Sequence, residues 1–105
     1  MAVATDTLTL WHRVLVDLDH AEWEHHVLAG VRCEPLRASR GTHPGPTPSD
    51  GLKAYLFAGT GIQPGDRVAC GISASPSPTA GSLEVTDVRA YSLGGFVHHV
   101  EVDAR

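Results

Sequence analysis

Six short runs of valine, leucine, threonine and aromatic residues follow one another along the chain, separated by clusters of glycine, proline, serine and aspartate. This spacing is typical of short strands joined by turns. In the clearest run, apolar residues and His25 alternate from Trp23 to Cys33, whereas charged residues such as Glu24 and Arg32 fall on the opposite face. A helix would distribute these charges around its apolar stripe, so the pattern predicts a strand.

The fold class predicted from this spacing is all-β, a small six-stranded barrel or sandwich with one long loop rich in proline and glycine. We expect tight hairpins between the first two strands and between the last two, and no helical turn before Trp23. Pro64-Gly65 predicts a turn with positive φ at the glycine. The expected strands are residues 8–16, 23–33, 52–57, 67–70, 83–91 and 96–102. The alternation predicts a core that contains Val27, Val31, Leu56, Val68, Val85, Phe96 and Val100.

A chain of 105 residues holds one hydrophobic core, and we expect a single β-barrel domain over residues 1–105. Two segments of this domain lack core residues. Residues 37–51, RASRGTHPGPTPSDG, contain three prolines and three glycines, which predicts a mobile loop that contacts a partner. Residues 73–82 predict a second, flexible segment that faces solvent. The candidate partner-contacting residues of the long loop are Arg37, Ser39, Arg40, His43 and Asp50.

The charge balance argues against direct nucleic-acid binding. Eight lysines and arginines against twelve aspartates and glutamates give a net charge of −4, the wrong sign for a surface that neutralises nucleic-acid phosphates. The N-terminal sequence MAVATDTLTL is neither basic nor continuously apolar, and no apolar run reaches the ~18 residues that cross a bilayer, so we expect neither export nor membrane insertion. Cys33 and Cys70 are too few for a disulfide scaffold, and we expect two buried thiols, with a native disulfide between them as the alternative.

Two histidine pairs lie in predicted strands, but neighbouring residues of a strand point to opposite faces and do not chelate one ion. One arrangement would bring two histidines and a carboxylate together across strands. It joins His26, His99 and either Glu24 or Glu101. No HExxH, HxxxH or CxxC motif supports this arrangement, so we expect surface or core histidines and no metal ligand.

Catalytic and phosphate-binding motifs are incomplete. GISAS at residues 71–75 lacks the final glycine of a nucleophile elbow. GTGIQPGD at residues 59–66 lacks the lysine and hydroxyl residue of a P-loop. We therefore predict a protein that is not an enzyme and that uses no cofactor.

Five motifs occur in order along nearly the whole chain: TLTLWHRV, EWEHHVLAGVRCEP, LKAYLFAG, GIQPGDRVACG and LEVTDVRAYSLGGFVHHVEVDAR. Together they resemble a family of small minor capsid or head-completion proteins of tailed phages and prophages, the neck proteins called stoppers. In that family a W-x-x-x-x-L-x-G-V-x-W-E-like strand, a variable loop, an I-x-P-G-D-x-V turn and an H-x-E-V-like strand follow an opening strand. The corresponding residues are Trp23, Leu28, Gly30, Val31, Glu34, Pro64, Gly65, Asp66, Val68, His99, Glu101 and Val102.

The chain departs from the family pattern at Cys33, which replaces an aromatic residue, and at residues 73–82, which replace a more charged connection. The resemblance implies a β-barrel subunit of a homo-oligomeric ring in the virion neck, assembled in the bacterial host cytoplasm. Its partners would be further copies of itself, a portal-side adaptor and a tail-side terminator, and the long loop would retain packaged DNA sterically within the channel. The alternatives are a small metal- or ligand-binding β-barrel accessory protein and a free-standing adaptor domain.

Overall fold

The computed structural model describes residues 5–36 and 51–105. These residues form six antiparallel strands that close into a barrel in the order β1-β2-β3-β6-β5-β4. The all-β prediction is therefore confirmed, and the architecture is a barrel. Within the described ranges, no helix has the length and apolar character needed to cross a membrane. The strands are β1 (Asp6–Asp17), β2 (His20–Pro35), β3 (Leu52–Phe57), β4 (Arg67–Cys70), β5 (Leu83–Leu93) and β6 (Phe96–Ala104).

All six predicted strands are present, and β3 and β4 have the predicted bounds. The other four strands extend beyond the predicted bounds at one or both ends. β1 and β2 remain paired as far as Asp17 and His20, so a hairpin occupies the place where a helical turn was the alternative. β5 and β6 remain paired as far as Leu93 and Phe96. Gly65 has the predicted positive φ, at 97°.

The barrel core consists of aliphatic side chains from all six strands together with Ile62 from the β3–β4 connection. Among the predicted core residues, Val31, Leu56, Val68, Val85 and Val100 are buried. These five predictions are confirmed. The complete cluster contains Leu8, Leu10, Val31, Leu52, Ala54, Leu56, Ile62, Val68, Val85, Val100, Val102 and Ala104.

Two predicted core residues lie outside the core: Val27 is 42% exposed and Phe96 is 78% exposed. Val27 is misplaced because Gly30, with φ of 71°, is an extra residue in the β1–β2 ladder. Such a bulge reverses which face of the strand the alternate residues occupy. Val27, before the bulge, therefore points outward, whereas Val31, after it, points inward. Phe96 is exposed because it lies beside the β5–β6 turn, where the hairpin has left the barrel.

β1 is buried on both of its faces, from Leu8 to Trp11. Its outer face is covered by the chain that follows β4. Thr9 Oγ1 donates to the Gly71 carbonyl at 2.8 Å and accepts from the Ser73 amide at 2.9 Å, and Trp11 Nε1 donates to the Ser75 carbonyl at 2.9 Å. Ser73 and Ser75, which lie in the segment predicted to face solvent, are therefore half-buried against β1, whereas Ala74 and Pro76 of the same segment are exposed.

Candidate interaction surfaces

Two hairpins extend beyond the barrel. From His12 to Asp17, β1 pairs with β2 alone in the described part of the chain, because its ladder with β4 spans Leu8–Trp11. β5 likewise pairs with β4 through Leu83 and Glu84 only. The strands alternate in direction around the barrel, so both hairpin turns leave from the same end.

The first hairpin, residues 12–24, carries an aliphatic tip. Leu15 and Val16 are 66% and 55% exposed, and Leu18 in the turn is completely exposed. The Asp19 amide donates to Asp17 Oδ1 at 2.9 Å, which fixes the turn that presents Leu18. Large apolar side chains in this setting lose water only when another surface covers them.

The second hairpin, residues 91–97, carries aromatic side chains. The ladders place Phe57, His99 and Tyr91 next to one another across β3, β6 and β5, and we call these three residues the aromatic row. The rings of Tyr91 and His99 stack at 4.9 Å with an interplanar angle of 8°. Phe57 and Tyr91 are 46% and 40% exposed. The aromatic row and the nearby Phe96 thus form a second apolar surface, at the base of the second hairpin and on that hairpin.

Charged residues occupy the same outer face further along these strands. Arg89 bonds to Asp103 at 3.0 Å and also pairs with Asp87. The hydrogen bonds from Arg89 lower the pKa of Asp103, and those to Asp103 raise the pKa of Arg89. Lys53 Nζ lies 3.6 Å from Glu101. This part of the face carries ion pairs and is suited to solvent, so the apolar character of the sheet is concentrated at the hairpin.

The hairpins also leave backbone edges without a strand partner in the described residues. Beyond Glu84, β5 has β6 as its only strand neighbour, and β2 reaches β3 only from Arg32 onward. Unpaired edges are templates on which another strand can add. The barrel itself is closed, so the available edges belong to the hairpins.

Among the residues that the structure describes, Asp66 is the one buried acidic residue, with 2% of its surface exposed. Its carboxylate accepts from the Arg13 amide at 2.9 Å and from the Gln63 amide at 3.0 Å, and His12 Nδ1 lies 2.9 and 3.0 Å from the two oxygens. The Asp66 carbonyl accepts from the Val85 amide at 2.8 Å. The sequence marked this residue only as part of a turn motif, whereas the structure makes it a junction between β1, the turn and β5.

The predicted alternative metal site is not assembled. His26 lies 3.6 Å from Glu24 on β2, and His99 lies 3.6 Å from Glu101 on β6. Each histidine therefore pairs with a carboxylate of its own strand, and the two pairs are on different strands. Across residues 5–36 and 51–105, no group of three or more histidine, cysteine or acidic side chains could hold a metal ion.

The residues predicted to contact a partner through the long loop lie outside the described residues, and their role remains a prediction. They are Arg37, Ser39, Arg40, His43 and Asp50. The structure instead brings forward surfaces that sequence reasoning missed. The available signal was the occurrence of Leu15, Val16 and Leu18 around a polar turn, where an ordinary hairpin would carry polar residues.

The described residues thus form a closed barrel, two hairpins with exposed apolar side chains, and a buried acid near the base of these hairpins. Comparison with models of protein families, with curated proteins and with solved structures finds no match.

Proposed function

We propose that this chain is a structural subunit that assembles into a ring in the neck of a tailed phage, as a head-completion protein between the portal-side adaptor and the tail. The phage assignment comes from the order of the five sequence motifs. The observation that carries the assembly is the concentration of exposed apolar side chains on two separate hairpins, represented by Leu18 and Phe96.

Two distinct apolar surfaces are what a head-to-tail contact requires. In such a contact one patch of each subunit meets a different patch of the next, and the series closes into a ring when the rotation allows it. An aliphatic tip around Leu18 and the aromatic row with Phe96 beside the other hairpin supply two such patches on one chain. An isolated two-stranded ribbon is also marginally stable in water, so each hairpin gains order by packing on a neighbour.

The unpaired edge of β5 supports the same arrangement. A strand from a neighbouring subunit can add to this edge through backbone hydrogen bonds, which fix the register between the two strands. The apolar side chains of the hairpins are then buried between the subunits. Natural proteins usually protect long exposed edges with charge or proline. From Thr86 to Leu93 this edge contains one acidic and one basic residue and no proline.

The charge of the chain suits a conduit for DNA. Its net charge is −4, and multiplication around a ring gives an acidic assembly that repels phosphate. Such a ring holds DNA by closing a passage and lets it slide when the passage opens. This is the reason to prefer a neck role over a DNA-binding role.

The test is the mass of the purified chain in solution, measured by light scattering and native mass spectrometry, with the particle shape examined by electron microscopy. We expect rings at high protein concentration. Leu18→Glu and Phe96→Glu should each raise the protein concentration needed for assembly by at least about tenfold, since each places a charge in a contact that assembly would bury. Ile72→Glu is the matched control because Ile72 is 72% exposed but lies outside both hairpins.

A chain that remains monomeric at every concentration, or hairpin variants that assemble like the Ile72→Glu control, would contradict the assembly. The phage assignment has its own measurement. Tailed particles produced by a strain that encodes this chain should contain it at the neck, detected by mass spectrometry and by labelling in electron micrographs. Its absence from such particles would overturn the neck role while leaving ring formation intact.

A further inference from the structure

Cys33 and Cys70 lie together at the end of the barrel opposite the hairpins. Cys33 is near the end of β2 and Cys70 is the last residue of β4, and β1 lies between these strands. Cys33 shares a face with buried Val31, and Cys70 shares a face with buried Val68. Both side chains are therefore directed toward the barrel axis at its open end. The prediction of two buried thiols is wrong, because Cys33 is half-buried and Cys70 is exposed.

One backbone carbonyl links the two cysteine sites. The Thr7 carbonyl accepts from Cys33 Sγ at 3.6 Å and from the amide of Gly71, the residue after Cys70, at 2.9 Å. Both cysteines line one cleft of about 380 Å³, which also contains Asp6. The Asp6 carboxylate accepts from the Cys33 amide at 2.9 Å and holds this end of β2 against β1.

The two thiols have unequal surroundings. Burial and the neighbouring Cys70 side chain, together with the Asp6 charge, raise the pKa of Cys33 to about 12. Cys33 therefore remains a protonated thiol at neutral pH and packs against the core. Cys70 is open to solvent and is the sulfur that a dissolved reagent meets first.

We propose that Cys33 and Cys70 form a reversible disulfide across the mouth of the barrel, made by exchange with a small-molecule disulfide such as oxidised glutathione. The Cys70 thiolate attacks the reagent, forms a mixed disulfide and releases one thiolate. The Cys33 sulfur, after loss of its proton, attacks Cys70 Sγ and releases the second thiolate. Two protein thiols are oxidised, one reagent disulfide is reduced to two thiols, and the two protons end on those thiols.

The bond would tie the end of β2 to the end of β4 across β1. It therefore constrains the strand that closes the barrel, and reduction releases it. This inference does not depend on the ring, because it concerns the opposite end of the molecule from both hairpins.

The test uses the full chain, reduced, exposed to oxidised glutathione at neutral pH, quenched with an alkylating reagent and examined by intact and peptide mass spectrometry. The expected product has lost two hydrogen atoms, takes up no alkylating group and contains a Cys33–Cys70 linked peptide. Its melting temperature should rise, and a reducing agent should restore the original value. Circular dichroism of the serine variants verifies that they remain folded.

The single variants separate the two roles. Cys33→Ser should stop at a stable glutathione adduct on Cys70. Cys70→Ser should react several times more slowly than Cys33→Ser, because Cys33 is half-buried and that burial raises its pKa, whereas Cys70 is open to solvent. A wild-type chain that keeps a glutathione adduct, or that forms only disulfides between molecules, would overturn the proposal. Equal rates in the two variants would overturn the order of attack.

Discussion

Replacement of Asp66 by asparagine tests how much of the barrel depends on one buried carboxylate. Asparagine keeps the size and shape of the side chain but replaces one oxygen by an NH₂ group. In the native chain the two oxygens face two backbone donors, the amides of Arg13 and Gln63, as well as His12. Whichever way the asparagine amide is turned, its NH₂ group faces one of these donors, and that donor loses its acceptor.

The magnitude follows from this geometry. A buried donor left without an acceptor costs about 1–3 kcal/mol, and hydrogen bonds to a charged group contribute about 1.5–3 kcal/mol. Since Asp66 is 2% exposed, water does not replace the lost acceptor. We expect Asp66→Asn to lower the free energy of unfolding by about 3 kcal/mol, a large part of the ~5–15 kcal/mol of a typical domain. Asp66→Ala, which removes both oxygens, should cost more.

Urea unfolding followed by tryptophan fluorescence, which reports on buried Trp11 and half-buried Trp23, measures this change. With a slope of about 1.5 kcal/mol per molar urea, a loss of 3 kcal/mol moves the midpoint down by about 2 M at unchanged slope. Asp19→Asn is the matched control, because the Asp19 side chain is exposed in the first hairpin turn. It should change stability by less than about 0.5 kcal/mol. If Asp66→Asn unfolds at the same urea concentration as the native chain, the reasoning from buried donors is refuted.

Two further substitutions have sharp expectations. Gly51→Ala should destabilise the fold by about 2 kcal/mol or more, since Gly51 has φ of 110° and an added Cβ would lie 2.8 Å from the Ala104 carbonyl oxygen. Gly81→Ala is the control and should be close to neutral, because the space around its Cβ is open. Thermal unfolding of both variants measures the difference. Arg89→Met should raise the pKa of Asp103 toward its ordinary value in an NMR titration, because Arg89 holds that pKa down. Stability that this pair provides is present above the ordinary aspartate pKa and is lost as pH falls through the lowered one, so the variant should lose less stability in acid. An unchanged Asp103 titration would contradict this cause.

The strands could be predicted because their alternation and turn residues are local signals. The face of β2 was predicted incorrectly, since a single bulge at Gly30 reverses which residues point inward. Glycine within an alternating run indicates such a bulge, and this signal was available at Gly30. Val27 was therefore assigned to the core from a correct strand and an incorrect register.

The partners of β1 could not be predicted either. Thr9 and Trp11 are buried by Ser73 and Ser75, residues more than sixty positions away in a segment without large apolar side chains. The contacts are made by backbone carbonyls and amides of that segment, which every sequence possesses. Composition therefore indicated solvent exposure where the fold required a polar covering.

The shortness of β4 has a consequence for the order in which the barrel forms. The β1–β2 and β5–β6 hairpins join residues that are neighbours in sequence, whereas β4 joins Trp11 to Arg67 and shares only two residue pairs with β5. Contacts between distant residues are made late, after the entropy of closing the intervening chain has been overcome. The two hairpins should therefore form first and the seam at β4 should close last. In native-state hydrogen exchange the β4 amides should be released before those of β6, because the seam is also the easiest ladder to open.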